Sequence, residues 1–348
     1  MGDTEQEAVG QKVAGRSARP RAGEYALGLF AAPLTLPVLR ALAGGSMRLA
    51  ELRKDVGLPP QTTLRGHLAG LVETRVIARR VRPGTRYAMD YELAPLGAEL
   101  LDVADGLEVW LGLFPDGPIS LESNTGKGAV RALVDGWGSQ MMTALASGPL
   151  SLTELDRLIA DLNYPALERR LAGMRMAGLV EADRAVRART PYAVSDWGRR
   201  AILPLAQATR CERRHLASQT EAPTGADIEA AFLLAIPLAV LPQGSDGWCQ
   251  LRVERRRGSG HLAGVRVEIE AGEIVSCVSC PDSRPRNWAA GSTRRWFEAV
   301  NEGDPTRLRF SGGNQLAASL VQGVHVGLTV AKVASARPSD VASGTESH

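Results

Sequence analysis

Apolar positions recur at helical spacing, then alternate, and this order runs twice through the first two thirds of the chain. Leu27 to Ala43 carries a helical apolar stripe that Pro33 and Pro37 kink or split. Leu49, Leu52 and Val56 continue with a helical period, and Ser46 stands where a helix cap is wanted. After Gly57-Leu58-Pro59, Pro60 opens a helix whose inward stripe is Leu64, Leu68, Leu71 and Val72; a first-turn proline forfeits no helical hydrogen bond. Val76 to Val81 and Tyr87 to Leu93 then alternate around a Pro83-Gly84 turn, the pattern of a β-hairpin. Helix, short helix, helix and hairpin make a winged helix-turn-helix.

The same pattern returns. Leu49-Ala50-Glu51-Leu52 reappears as Leu152-Thr153-Glu154-Leu155, a spacing of 103 residues, at which Leu39 answers to Met142, Leu64 to Leu167 and Leu68 to Leu171. Beyond the hairpin tip the spacing falls to 101, with Tyr91 matching Tyr192 and Gly97 matching Gly198. Two residues are therefore missing from a loop, where deletions are tolerated. The second copy predicts helices near Ala129–Ala146, Leu152–Leu162 and Pro165–Ala177 and a hairpin over Leu179–Val194. A repeat of roughly 85 residues has the size of a domain and exceeds a solenoid unit.

From residue 226 the pattern changes. A Ser/Thr/Ala/Pro-rich linker, 217–225, precedes alternating strands at Trp248–Arg255, Ala263–Glu270 and Ile274–Val278, a helix at Thr293–Val300, a strand at Leu308–Phe310 and a helix at Leu316–Val321. The expected fold class is α+β, with winged helices at 23–115 and 127–215, a ligand-binding α/β domain at 226–332, and disordered tails at 1–22 and 333–348.

Composition adjusts this picture little. The 348 residues are 44% apolar, which suits two or three globular domains. No run reaches the roughly 18 apolar residues of a membrane span; the most apolar, Ala230 to Leu241, is broken by Pro237 and reads as a buried helix or pocket wall. A polar start and four cysteines are expected of a cytoplasmic chain with reduced thiols, without membrane attachment. The net charge of +3 does not by itself declare a nucleic-acid partner, so the placement of the arginines matters. The outward face of the first recognition helix offers Gln61, Thr62, Thr63, Arg65 and His67, and Arg82 and Arg86 flank its wing. The second copy offers Asn163, Tyr164, Arg169 and Arg170, with Arg184, Arg187 and Arg189 on its wing. Such side chains reach base edges and phosphates in a major groove, whereas Glu168 beside them is repelled by phosphate unless it accepts from cytosine.

The Leu-Ala-Glu-Leu order, the leucine-spaced third helix, the arginine-flanked wing and the closing Tyr91-Glu92-Leu93-Ala94-Pro95-Leu96-Gly97 resemble the HxlR type of bacterial winged-helix transcription regulators. The resemblance implies binding to a double-stranded operator by a dimer, here a pseudo-dimer within one chain that could pair further as a homodimer. Several such regulators sense oxidants through an early cysteine; this chain has none before Cys211. The C-terminal third, through its strand order, Trp296-Phe297-Glu298-Ala299-Val300 and Leu316 to Val321, resembles the sterol-carrier-protein-like fold. That resemblance implies a sheet backed by helices around an apolar cavity. Phe232, Trp248, Trp288, Trp296, Phe297 and Phe310 are the candidate lining, either as pocket or as plain core.

Candidate chemistry is sparse. Cys277-Val278-Ser279-Cys280 lacks a second C-x-x-C pair, and with Cys249 and His261 gives no fixed metal-ligand spacing. There is no Gly-x-Ser-x-Gly elbow and no phosphate-cradling Gly-x-x-x-x-Gly-Lys, so no enzyme, cofactor or metal is expected. The reading is a DNA-binding regulator, a repressor released by a hydrophobic small-molecule effector. The alternatives are a protein that sequesters such a molecule on winged helices that no longer bind DNA, and a protein-interaction adaptor.

Overall fold

Proline divides the first apolar stretch, giving α1 (Glu24–Leu29) and α2 (Thr35–Ala43), with Pro37 in the first turn of α2 where its missing N–H is harmless. The structure is a computed structural model and describes residues 19–81, 89–159, 162–182, 191–254, 263–279, 287–311 and 315–329. There follow β1 (Met47–Arg48), α3 (Leu49–Asp55), α4 (Gln61–Glu73), β2 (Ile77–Val81), β3 (Met89–Leu93) and α5 (Pro95–Gly112). The sheet order is β1-β3-β2, antiparallel, with Ile77 opposite Leu93 and Met47 opposite Tyr91. Leu39, Leu52, Leu64, Leu68, Val76 and Leu100 fill the core between helices and hairpin. Ser46 does not cap α3. Pairing of Met47 and Arg48 with β3 moves the helix start to Arg48, whose backbone N–H donates to Glu51 Oε2 at 2.9 Å.

The second unit comprises α6 (Asn124–Gly138), α7 (Met141–Leu145), α8 (Leu152–Leu158), α9 (Tyr164–Met176), β4 (Val180–Ala182), β5 (Tyr192–Val194), α10 (Asp196–Arg200) and α11 (Ile202–His215). The single helix expected over Ala129–Ala146 is two, because Gln140 takes a left-handed conformation (φ 64°) between them. Details of construction recur at the repeat spacing. Leu150 bridges to Tyr192 as Met47 does to Tyr91. At Gly97 and at Gly198 a β-carbon would lie 2.2 Å from a backbone carbonyl oxygen, of Val76 and of Leu179 respectively.

The two units share one seam, in which α5 packs along α11 and α1 lies on α11 and α6. Trp110 of α5 and Trp197 of α10 stack at 4.4 Å, and each indole N–H donates to the other's backbone carbonyl, at 3.0 and 2.9 Å. Glu212 of α11 is fully buried and accepts the N–H groups of Gly23 (2.7 Å) and Ala26 (2.8 Å), closing the N-terminus of α1, which has no side-chain cap of its own. Burial, opposed by these hydrogen bonds and reinforced by the nearby Glu24, pushes the Glu212 carboxyl up to about 7. A carboxyl whose folded pKa is raised contributes stability that is complete below about pH 4.5 and is lost as the pH climbs to about 7. That loss is on the order of 3 kcal/mol. We expect urea unfolding to show the native chain losing stability over this window and Glu212→Gln losing markedly less; an unchanged pH slope in the variant would contradict the assignment.

The C-terminal third contains α12 (Gly225–Ala235), β6 (Gly247–Val253), β7 (Gly264–Glu270), β8 (Glu273–Ser279), β9 (Trp288–Gly291), α13 (Thr293–Glu302), β10 (Arg309–Ser311) and α14 (Gln315–Thr329). The strand order is β10-β9-β6-β7-β8, antiparallel except for β6 and β9, which run parallel. Val265, Val267 and Ile269 are buried and alternate with exposed Arg266, Glu268 and Glu270, so one sheet face meets α12 and α14 and the other meets solvent. Strand β9 was not expected from its Trp-Ala-Ala-Gly sequence, which lacks alternation. The disorder expected of residues 1–22 does not hold for 19–22. Pro20 accepts the Glu221 N–H at 2.9 Å, Arg21 is ion-paired with Asp227 and donates to the Trp137 carbonyl, and Ala22 is buried. Residues 333–348 lie outside the described residues. Among the described residues no helix is long and apolar enough to cross a membrane.

Candidate functional site

Helix α4 buries Leu64, Leu68 and Leu71, which turns Gln61, Thr62, Thr63 and Arg65 outward into solvent. His67 is placed differently: it is half-buried, its Nε2 lies 3.4 Å from Thr35 Oγ1, and desolvation lowers its pKa, so it is neutral at pH 7 and turned toward α2. A groove between α4 and the hairpin is lined by Arg65, Ala69, Arg79, Met89 and Tyr91 among others. Arg79 faces Tyr91 across the strand pair, its guanidinium 5.8 Å from the ring, and Arg80 is paired with Glu92. Arg79 was not among the expected site residues, because its place opposite Tyr91 depends on the register of the hairpin, which strand alternation does not fix. Arg82 and Arg86 lie outside the described residues.

The matching face of α9 is chemically different. Asn163 is the N-cap of the helix, and its Oδ1 accepts the Ala166 N–H at 3.0 Å. Tyr164, Glu168 and Arg169 are exposed and Arg170 is half-buried, so a carboxylate stands among the cations. Arg184, Arg187 and Arg189 lie outside the described residues.

A helix pair with a polar second helix, a three-stranded antiparallel sheet and a long closing helix is thus in place between α2 and α5. Residues 34–116 match the HxlR-like helix-turn-helix family. The HxlR-like segment covers 83 of the 348 residues, ends before α6, and points to a DNA-binding transcriptional regulator. No curated protein matches the chain in sequence.

Behind the HxlR-like module, α6 and α11 meet α12, α13, α14 and β6 around an apolar cavity that is open to solvent at its mouth. Phe232, Trp296 and Phe297 are part of its wall, and Phe232 and Trp296 meet edge to face at 4.7 Å. Trp248, Trp288 and Phe310 are not among its lining residues. They sit half-buried on β6, β9 and β10, where Trp248 stacks under the Arg266 guanidinium at 4.9 Å and Trp288 pairs with Phe310's neighbour Ser311 across the sheet. The opposite wall was not foreseen: Trp137 comes from α6, and Ile202, Leu205 and Thr209 from α11. Asp227 is the carboxylate in the lining, and Arg21 is ion-paired with it. The apolar 230–241 run does serve as pocket wall through Ala231, Phe232, Ala235 and Ile236.

Burial pushes the thiols of Cys211, Cys249 and Cys277 up to about 12, which leaves them protonated and unreactive at neutral pH. Cys280 and His261 lie outside the described residues, and among the described ones no group of His, Cys, Asp and Glu could hold a metal ion.

Proposed function

We propose that the chain is a ligand-responsive repressor in one polypeptide: two winged helices, arisen by tandem duplication, offer α4 and α9 to one duplex, and a sterol-carrier-like domain holds an apolar effector. The observation that carries this reading is the position of α11. Ile202, Leu205, Ala206 and Thr209 of that helix line the cavity, while the same helix packs along α5, the closing helix of the HxlR-like module. An occupant of the cavity therefore presses on the element that sets one winged helix against the other. Duplication is supported by the recurring bridge at Tyr91 and Tyr192 and the recurring close approach at Gly97 and Gly198. The sterol-carrier reading is supported by the five-stranded sheet with its parallel β6–β9 pair and its helix-covered face.

Two recognition helices in one chain read half-sites about 34 Å apart, one turn of the duplex. For ligand to relieve repression tenfold, it must bind the released arrangement about 1.4 kcal/mol more tightly than the DNA-bound one. The test is a mobility shift with duplex from upstream of the chain's own gene. Affinity should fall steeply with salt, and Arg65→Ala should weaken binding to that duplex by about 1–3 kcal/mol if Arg65 reads a base. Weak binding that is equal for every duplex and indifferent to Arg65→Ala would instead favour sequestration of the small molecule.

A further inference from the structure

We propose that the effector is an anionic amphiphile, its apolar body in the cavity and its carboxylate or phosphate head among Arg210, Arg213 and Arg214 at the end of α11. The proposal rests on the reading of the cavity as the effector site and specifies the chemistry of what enters it.

A second, polar recess adjoins the cavity and shares Pro223 and Phe297 with it as lining. Four guanidinium groups line the recess: Arg210, Arg213 and Arg214 from α11 and Arg294 from α13. The carboxylate among the lining residues is Glu298, whose Oε1 already accepts from Arg294 Nε at 2.8 Å. Neither Arg210 nor Arg213 is paired with a carboxylate among the described residues. Thr293 and Arg294 open the ten-residue helix α13, and the N-terminal end of a helix favours negative charge.

The cavity itself has no vacant place for a charged head. Its polar lining is Thr209 and an Asp227 neutralised by Arg21, and burying an unpaired charge against the remaining apolar wall is strongly unfavourable. A head group must therefore lie outside the cavity, and in the adjoining recess the surplus of guanidinium selects an anion over a neutral or cationic head. The same recess reaches the first winged helix. Arg214 Nη1 donates to Glu99 Oε1 of α5 at 3.1 Å, and His215 Nε2 lies 3.1 Å from the same oxygen. An anion beside Arg214 competes with Glu99 and loosens the α5–α11 seam at that end.

The experiment compares dodecanoate, dodecyl phosphate and dodecanol below their micellar concentrations, by calorimetry and by the fluorescence of the lining Trp137 and Trp296 in the full chain. At about 50 mM salt at least one anionic probe should bind about tenfold or more tightly than dodecanol, and the preference should shrink toward about 500 mM. Whichever anion binds more tightly identifies the head as carboxylate or phosphate. Arg210→Gln with Arg213→Gln, both outside the core, should bring the anions to within about threefold of dodecanol while leaving dodecanol affinity unchanged. Equal binding of all three probes to the native chain, or a preference that survives the double substitution, overturns the anionic head and leaves the cavity reading standing. Binding of none of the three overturns the cavity reading and the proposal together.

Discussion

Replacing Trp110 by alanine is expected to cost about 3–5 kcal/mol, a large share of the stability of a domain. The indole is wholly buried, stacks on Trp197 and satisfies the Trp197 carbonyl, which the substitution would strand in an apolar seam. Phe114 already meets Trp197 edge to face at 4.9 Å, so the stack on Trp197 is the contact that the substitution removes. Trp110→Phe separates the contributions: it keeps a ring but loses the N–H donor, and should cost clearly less than alanine. Urea unfolding followed by circular dichroism measures both, and the mobility shift should weaken in parallel, since the lost ring holds α5 against α10. A cost below about 1 kcal/mol for Trp110→Ala would mean that the two units do not depend on their seam.

Gly97→Ala and Gly198→Ala should each destabilise the chain by about 3 kcal/mol or more. Each new methyl would sit 2.2 Å from a backbone carbonyl oxygen, closer than van der Waals radii permit, and the obstacle is main chain with no rotamer to change. Relief requires moving the closing helix away from the hairpin in either unit. Gly70→Ala on α4 is the control, because nothing lies within 4 Å of its added carbon. At that exposed helical position alanine should stabilise by up to about 1 kcal/mol. Thermal or urea midpoints of the three variants decide the matter; tolerance at Gly198 but not at Gly97 would show that the second unit is looser than the first.

What could be read from the sequence was what each element decides for itself. Leu64, Leu68 and Leu71 give α4 its period and its buried face, and the alternation of Ile77 to Val81 gives β2 its strand. Ser46 failed as a cap because a partner strand 44 residues away, at Asp90 and Tyr91, claims the residues next to it. Strand β9 was missed for the same reason, since it owes its form to β6 beside it. At the site, aromatic character marked Phe232, Trp296 and Phe297, but the identical character of Trp248, Trp288 and Phe310 serves the sheet. Composition does not say which side of a sheet an indole faces. Trp137 and Leu205 reach the cavity from another unit, and no local pattern in α6 or α11 announces it. His67 and Asn163 were plausible groove readers by type; one is drawn inward toward Thr35 and the other is occupied in capping α9.

Helix α1 precedes the HxlR-like segment yet lies on α11 and α6, with Glu212 closing its first turn and Arg21 just before it clasping Asp227 at the start of α12. The order of the chain and the order of its bodies in space are thus out of step. A cut between residues 113 and 123 would give the front fragment a helix whose bed lies in the rear one, and the rear fragment a buried carboxylate with nothing to cradle. The polypeptide is stitched from residues 20 and 21 to its last domain, and the pieces that look like modules on paper are not spare parts.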